Sequence, residues 1–277
     1  MYKGSCDGAA AYPFFMAKCC TSELTHLVES LMRIILISLG RAAVRRRMMV
    51  SQFQALGLDF EILDAVDWQN LTQADRRLVD LEIRLREGRR PFPPGAVACW
   101  LSHRKALLDL VENGPEVAAI FEDDVRLSQG LPEIFDAIMN IDNSFDIIFL
   151  SKLGRKPFVR LLPLTINHTL GRFRYTDHGA LGYVITRSAA ARFLIWAPRV
   201  MYLIDQALRR YWEHGLNVYT IDPPVVLHQD GGRSLISESL DATPNHLRYS
   251  PVRVARKIYT LIREEFLMRV YFDRQSE

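Results

Sequence analysis

From Met32 onward, short apolar runs alternate with stretches that carry helical periodicity, and this alternation restricts the chain to α/β architectures. Ile34 to Leu39 is a buried-strand run, and Arg41 to Leu56 is helical up to a stop at Gly57. Phe60 to Leu63 reads as a second strand and Thr72 to Arg86 as a polar helix. The proline-rich Gly88 to Pro94 is a loop. Gly95 to Asn113 is a helix with Cys99, Trp100, His103 and Leu107 on or near one face. Val117 to Phe121, Phe145 to Leu150, Leu181 to Thr186 and Val218 to Ile221 are further strands. Ser188 caps a helix through Trp196, and another helix spans Leu203 to His214. Strands separated by helices pair in parallel within a three-layer sandwich, whose ligands sit beyond the carboxyl ends of the strands.

No internal repeat or low-complexity linker divides the 277 residues, so residues 32–250 are expected to form one catalytic domain. Residues 1–31 have weak periodicity and are expected to be a poorly ordered extension. The formal charge of +3, with Lys and Arg dispersed, excludes nucleic acid as the obvious partner. Cys6, Cys19, Cys20 and Cys99 have neither disulfide-framework nor zinc-site spacing, which fits a reducing, cytoplasmic setting. No apolar run reaches the length of a membrane span.

The chemistry concentrates where the strand ending at Phe121 runs into Glu122-Asp123-Asp124. Three adjacent carboxylates repel one another unless a cation compensates them. On an extended backbone Glu122 and Asp124 share one side, an acid-x-acid pair suited to Mg²⁺ or Mn²⁺ on a diphosphate. A solvated acidic turn leading toward Pro132 is the competing reading.

In order along the chain come Ile37-Ser38-Leu39-Gly40-Arg41 with Arg45 and Arg46, Gly95 to His103, and Phe121-Glu122-Asp123-Asp124-Val125. Gly182-Tyr183-Val184-Ile185-Thr186, Ala190, Asp205 and Pro223-Pro224 follow. This ordered set, from about Arg33 to Leu240, resembles glycosyltransferase family 25, which includes bacterial lipooligosaccharide galactosyltransferases and the collagen galactosyltransferases. Ser38 and Gly40 stand where that family has Asn and Asp, and Ala96 and Ala98 where it has Glu and Gly.

The resemblance implies a nucleotide-diphospho-sugar transferase fold of the A type. It also implies inverting transfer of a hexose, galactose or glucose, from a UDP-sugar to a saccharide or lipid-linked saccharide. Ser38, Arg41, Ser102, His103, Glu122 and Asp123 are the expected donor-binding residues. Glu122, Asp124 and His228 are the expected ligands of Mn²⁺ or Mg²⁺. Asp205 is the expected catalytic base and Asp177 the reserve. Each has a plain alternative: a surface Arg41, a helix-packing His103, a capping Asp205, a loop His228. An altered nucleotide pocket serving only binding or scaffolding is the rival function. Asp230-Gly231-Gly232-Arg233-Ser234 is expected to be a mobile loop over the phosphates.

The segment Pro251 to Asp273 has Val252, Ala255, Ile258, Ile262 and Phe266 at helical spacing beside Arg253, Arg256, Lys257, Arg263 and Arg269. Such a helix either lies on an anionic membrane surface or packs on the domain with its basic side in water.

Overall fold

The computed structural model describes residues 32–86, 91–141, 144–152, 158–173, 179–229 and 251–274. The expected N-terminal extension, Asp177 and the Asp230–Ser234 loop lie outside the described residues.

The described elements are, in chain order, β1 (Met32–Ser38), α1 (Ala43–Ala55), β2 (Glu61–Asp64), a 3₁₀ turn (Trp68–Asn70), α2 (Gln73–Arg77) and α3 (Leu81–Arg86). Then come α4 (Pro94–Asn113), β3 (Val117–Glu122), β4 (Val125–Leu127), α5 (Leu131–Met139), β5 (Ile147–Phe149), β6 (Phe158–Pro163) and β7 (Thr169–Phe173). β8 (Gly182–Thr186), α6 (Arg187–Trp196), α7 (Ile204–Leu208), α8 (Tyr211–His214), β9 (Val218–Asp222), β10 (Val226–His228) and α9 (Pro251–Arg274) complete the chain.

Eight strands form one sheet in the order β2-β1-β3-β8-β5-β9-β7-β6. The pairings β1–β2, β1–β3 and β5–β9 are parallel; β8 is antiparallel to both β3 and β5, and β7 to both β6 and β9. All strands except β7 and β8 therefore point the same way.

The continuous apolar runs of β1 and β3 follow from cover on both faces. Ile35, Ile37, Ala118 and Ile120 face a core built with α4, α6, α7 and α8. Ile34, Leu36, Ala119 and Phe121 face α1 and α5. On that second side Phe53 of α1 stacks on Phe60 at 4.6 Å and meets the edge of Phe121 at 5.4 Å. Burying such a ring contributes about 1.5–3 kcal/mol.

Local details refine the expectations. Gly57 has a φ of 66°, the left-handed conformation that ends α1. Thr186, not Ser188, caps α6 by accepting the Ala189 N–H. The segment expected as one helix from Thr72 to Arg86 is two, because Val79 forms a bridge with Val200 between them. The Leu203–His214 segment likewise splits into α7 and α8.

Helix α9 packs on the domain, but not through its apolar stripe. Thr260, Glu264 and Met268 are buried, and Tyr271 rests against Tyr211 with ring centroids 5.4 Å apart. The Glu264 carboxylate accepts from Arg210 at 2.7 Å in a buried ion pair, and Arg210 also lies over the Tyr202 ring. Ile258, Ile262 and Phe266 are 52%, 62% and 64% exposed. No helix among the described residues is long and apolar enough to cross a membrane.

Candidate active site

Ser38 and Glu122 end the neighbouring parallel strands β1 and β3, so the acidic triplet sits at the carboxyl edge of the sheet. The chain bends at Asp123 and Asp124 before entering β4. β4 pairs antiparallel with β10, which places His228 opposite Val125, and the Gln229 N–H donates to the Asp124 carbonyl at 3.0 Å. This small ribbon brings His228 to the triplet from a hundred residues further along the chain.

The three carboxylates have separate surroundings. Asp123 is buried, accepts from the Ser38 hydroxyl at 2.7 Å, and lies 3.5 Å from an Arg45 guanidinium nitrogen. Glu122 faces α4, where its Oε1 is 3.2 Å from His103 Nε2 and 3.7 Å from Cys99 Sγ. Asp124 Oδ2 is 3.7 Å from Arg45 and 3.9 Å from His228 Nε2, while its buried Oδ1 has no hydrogen-bond partner. Glu122, Asp123 and Asp124 all line one cavity. Burial and then the Glu122 charge push the Asp124 carboxyl up to about 6, against the opposing pull of Arg45 and His228.

His228 Nδ1 lies 3.0 Å from the Gln229 carbonyl oxygen. A carbonyl only accepts, so Nδ1 carries a proton, and in the neutral ring Nε2 presents a lone pair toward Asp124.

A cavity of about 100 Å³ opens beside these groups. Of the expected donor residues, Ser102, His103, Glu122 and Asp123 line it, together with Asp124. Ser102 donates to the Ala98 carbonyl and accepts the Val66 N–H at 2.9 Å, joining α4 to the segment after β2. His103 is fully buried and shares a 3.0 Å hydrogen bond with the Tyr183 hydroxyl. Ser38 stands behind Asp123, outside the lining. Arg41 is also outside it and pairs with Asp67 at 2.8 Å. Asp205 accepts the Gly179 N–H at 2.9 Å and the Gln206 N–H at 2.8 Å. It is not the cap of α7, a position held by Leu203. Its charge reaches Cys99 at the cavity.

Three participants were given no site role by the sequence. Cys99 lies on the same helical face as His103, one turn before it, and shares its contact with Glu122. Arg45 shows only as one of several basic residues after β1. Trp68 lines the cavity with a buried indole N–H that lacks a hydrogen-bond partner, and nothing in the sequence marks it. Gly182 is explained by packing: a Cβ there would stand 3.0 Å from the Phe121 ring.

Residues 32–208 match the family described as glycosyltransferase family 25 (LPS biosynthesis protein). A glycosyltransferase 25 family member of Anopheles gambiae is 35% identical over 103 residues, 35% of this chain and 17% of that protein. The lacto-N-neotetraose biosynthesis glycosyltransferase LgtE of Neisseria gonorrhoeae is 28% identical over 203 residues, 68% of this chain and 70% of that protein. A probable inactive glycosyltransferase 25 family member 3 of Bos taurus is 22% identical, covering 76% of this chain and 39% of its own length. The chain thus spans well under half of the animal relatives and more than two thirds of the bacterial one. With the match covering β1 through α7 and the acidic triplet at its centre, the chain belongs to glycosyltransferase family 25.

Proposed function

We propose that this protein transfers a hexose, galactose or glucose, from a UDP-sugar to a hydroxyl of a saccharide acceptor with inversion, in the biosynthesis of lipooligosaccharide or another surface glycan. The observation that carries the reading is one unsatisfied carboxylate oxygen on a residue that lies beside a histidine nitrogen. Asp124 Oδ1 is buried without a partner, and the His228 Nε2 lone pair lies 3.9 Å from Asp124 Oδ2. With Glu122, which lines the same cavity as Asp124, they offer oxygen and nitrogen donors of the hard kind that Mn²⁺ or Mg²⁺ takes. When bound, such a cation neutralises charge developing on the leaving nucleoside diphosphate.

The protein's own groups have distinct tasks in this reading. Arg45 and Ser38 hold Asp123, which in turn fixes the bend that presents Asp124. His103, braced by Tyr183, orients Glu122 toward the cavity, where it meets the donor. Asp205, oriented by two backbone N–H groups, takes the proton from the acceptor hydroxyl. Residues 32–250 form the catalytic unit.

Helix α9 supports a peripheral location on an anionic membrane. Its exposed Ile258, Leu261, Ile262 and Phe266 lie among the exposed basic residues Arg256, Lys257 and Arg263. That placement brings a lipid-linked acceptor to the cleft.

The test is to incubate the protein with UDP-galactose or UDP-glucose, Mn²⁺ and a saccharide acceptor, and to read product and anomeric configuration by NMR. Absence of both UDP binding and donor turnover favours the second reading, a binding or scaffold module. The similarity to a relative named as probably inactive and the altered positions Ser38, Gly40, Ala96 and Ala98 favour that reading.

A further inference from the structure

The cavity floor carries a second donor set of different chemistry. Cys99 and His103 lie one turn apart on α4, and both face Glu122 at the end of β3. The Cys99 sulfur, a His103 nitrogen and a Glu122 oxygen all lie within 4.8 Å of one another. Ligand atoms bound to one zinc ion at about 2.0–2.3 Å stand roughly 3–4 Å apart, so little movement is needed to close this triangle. The Tyr183 hydroxyl, 3.0 Å from His103 Nδ1, supplies the outer partner that a ligating histidine needs. In the metal-free protein Nε2 donates to the Glu122 carboxylate, which only accepts, and Nδ1 accepts from the Tyr183 hydroxyl; with the ring proton shifted to Nδ1 and Tyr183 accepting it, Nε2 is freed for the cation. The adjoining cavity leaves room for a water as fourth ligand.

We propose that Cys99, His103 and Glu122 form a binding site for a borderline-soft divalent cation of the zinc type. Thiolate and imidazole select zinc or cobalt, whereas the carboxylate-rich set at Asp124 and His228 suits manganese or magnesium. The thiol proton leaves to solvent as the cation binds. The two sets share Glu122, so a zinc-type cation draws that carboxylate toward α4 and away from Asp124. The site does not rest on the transferase reading, because its three ligands are in place whether or not the chain moves a sugar.

Cobalt serves as the probe, since a cobalt–thiolate bond gives a charge-transfer band in the near ultraviolet. Titrating Co²⁺ into the metal-free full-length protein is expected to give this band at one equivalent, and Zn²⁺ is expected to abolish it. The band is expected to vanish in Cys99→Ser. It should persist when Cys6, Cys19 and Cys20 are together changed to Ser, and in Asp124→Asn, which breaks only the oxygen-rich set. A protein without the band, or a band that survives Cys99→Ser, overturns the proposal. A second measurement uses the unaltered chain: Zn²⁺ should slow alkylation of Cys99 by iodoacetamide, read by mass spectrometry, at least about tenfold. Alkylation at an unchanged rate overturns it equally. Neither readout depends on sugar transfer, so failure here is separable from failure of the proposed function.

Discussion

The Ser38 hydroxyl donates to the Asp123 carboxylate across 2.7 Å, joining the ends of β1 and β3 inside the protein. Ser38 is one of the positions where the family pattern has a different residue, and its short side chain reaches Asp123 directly. Ser38→Ala leaves a buried carboxylate oxygen without that donor. The expected cost is about 1–3 kcal/mol in denaturant unfolding of the metal-free protein. An unchanged midpoint would show that Arg45 alone holds Asp123.

Asp124→Asn is expected to abolish Mn²⁺-dependent UDP binding, measured by calorimetry, while stabilising the metal-free fold. Its carboxyl is raised from 3.8 to about 6, so the ionised form is disfavoured in the folded state. The native state binds the extra proton between those values, and the penalty is complete above about 6 and gone below 3.8. The substitution should therefore raise stability by on the order of 1–3 kcal/mol near neutral pH, with the advantage fading as pH falls through this window. Equal melting temperatures of the two proteins at pH 8 would contradict the burial argument.

His214 gives the opposite pH dependence. Its Nδ1 accepts the Leu216 N–H, and its ring packs against Trp196 at 5.2 Å. Burial pushes it down from 6.5 to about 3, so it is neutral in the fold. The unfolded chain binds the proton first, and stability contributed here is lost as pH falls from 6.5 toward 3. His214→Gln is expected to flatten acid unfolding followed by circular dichroism over that range. A curve as steep as that of the parent would remove His214 as the cause.

Much of this was legible because burial on both faces leaves a plain record. β1 and β3 are apolar at nearly every position, and the carboxylates that follow β3 stand out against that run. β6 and β7 were missed because Arg160, Gly171 and Arg172 interrupt the pattern and β6 is an edge strand. β4 and β10 were missed because three-residue strands have too little sequence to show a period. His228 was named, but the ribbon that carries it to Asp124 is a long-range pairing that no local pattern encodes. The tail forms a helix, as its spacing suggests. Its docking side was not legible, since Arg210 and Glu264 make a polar contact in place of an apolar one.

Asp205→Asn is expected to lower turnover at least about a hundredfold with donor affinity nearly unchanged, because loss of a base acts in the transition state. Asn keeps one oxygen to accept from Gly179 or Gln206, so the fold should survive. Collapse of donor affinity instead would make Asp205 a donor-site residue, with Asp177 as the next candidate base.

For α9, deletion is the wrong experiment, because it would bare the buried Arg210 guanidinium. Changing Ile258, Ile262 and Phe266 together to Ser removes only exposed apolar surface. Binding to anionic vesicles, measured by flotation, is expected to fall at least about tenfold, and binding by the parent should weaken with salt. Vesicle binding equal to the parent's would end the membrane reading. Glu264→Ala should instead destabilise the protein, by about 3 kcal/mol or more, since it leaves a buried charge short of a partner.

The β4–β10 ribbon joins residues 125–127 to 226–228 through only three residues on each side. During synthesis, Glu122 and Asp124 emerge long before His228, so the nascent chain carries an open pair of carboxylates until the last strands arrive. Closing so large a loop for so few hydrogen bonds also makes this ribbon a candidate for the first unit to open in the finished protein. Amide hydrogen exchange should accordingly be faster at Gln229, whose N–H donates to the Asp124 carbonyl across the ribbon, than at Ile120 in the centre of the sheet. Cation affinity should then weaken on warming well before the domain melts.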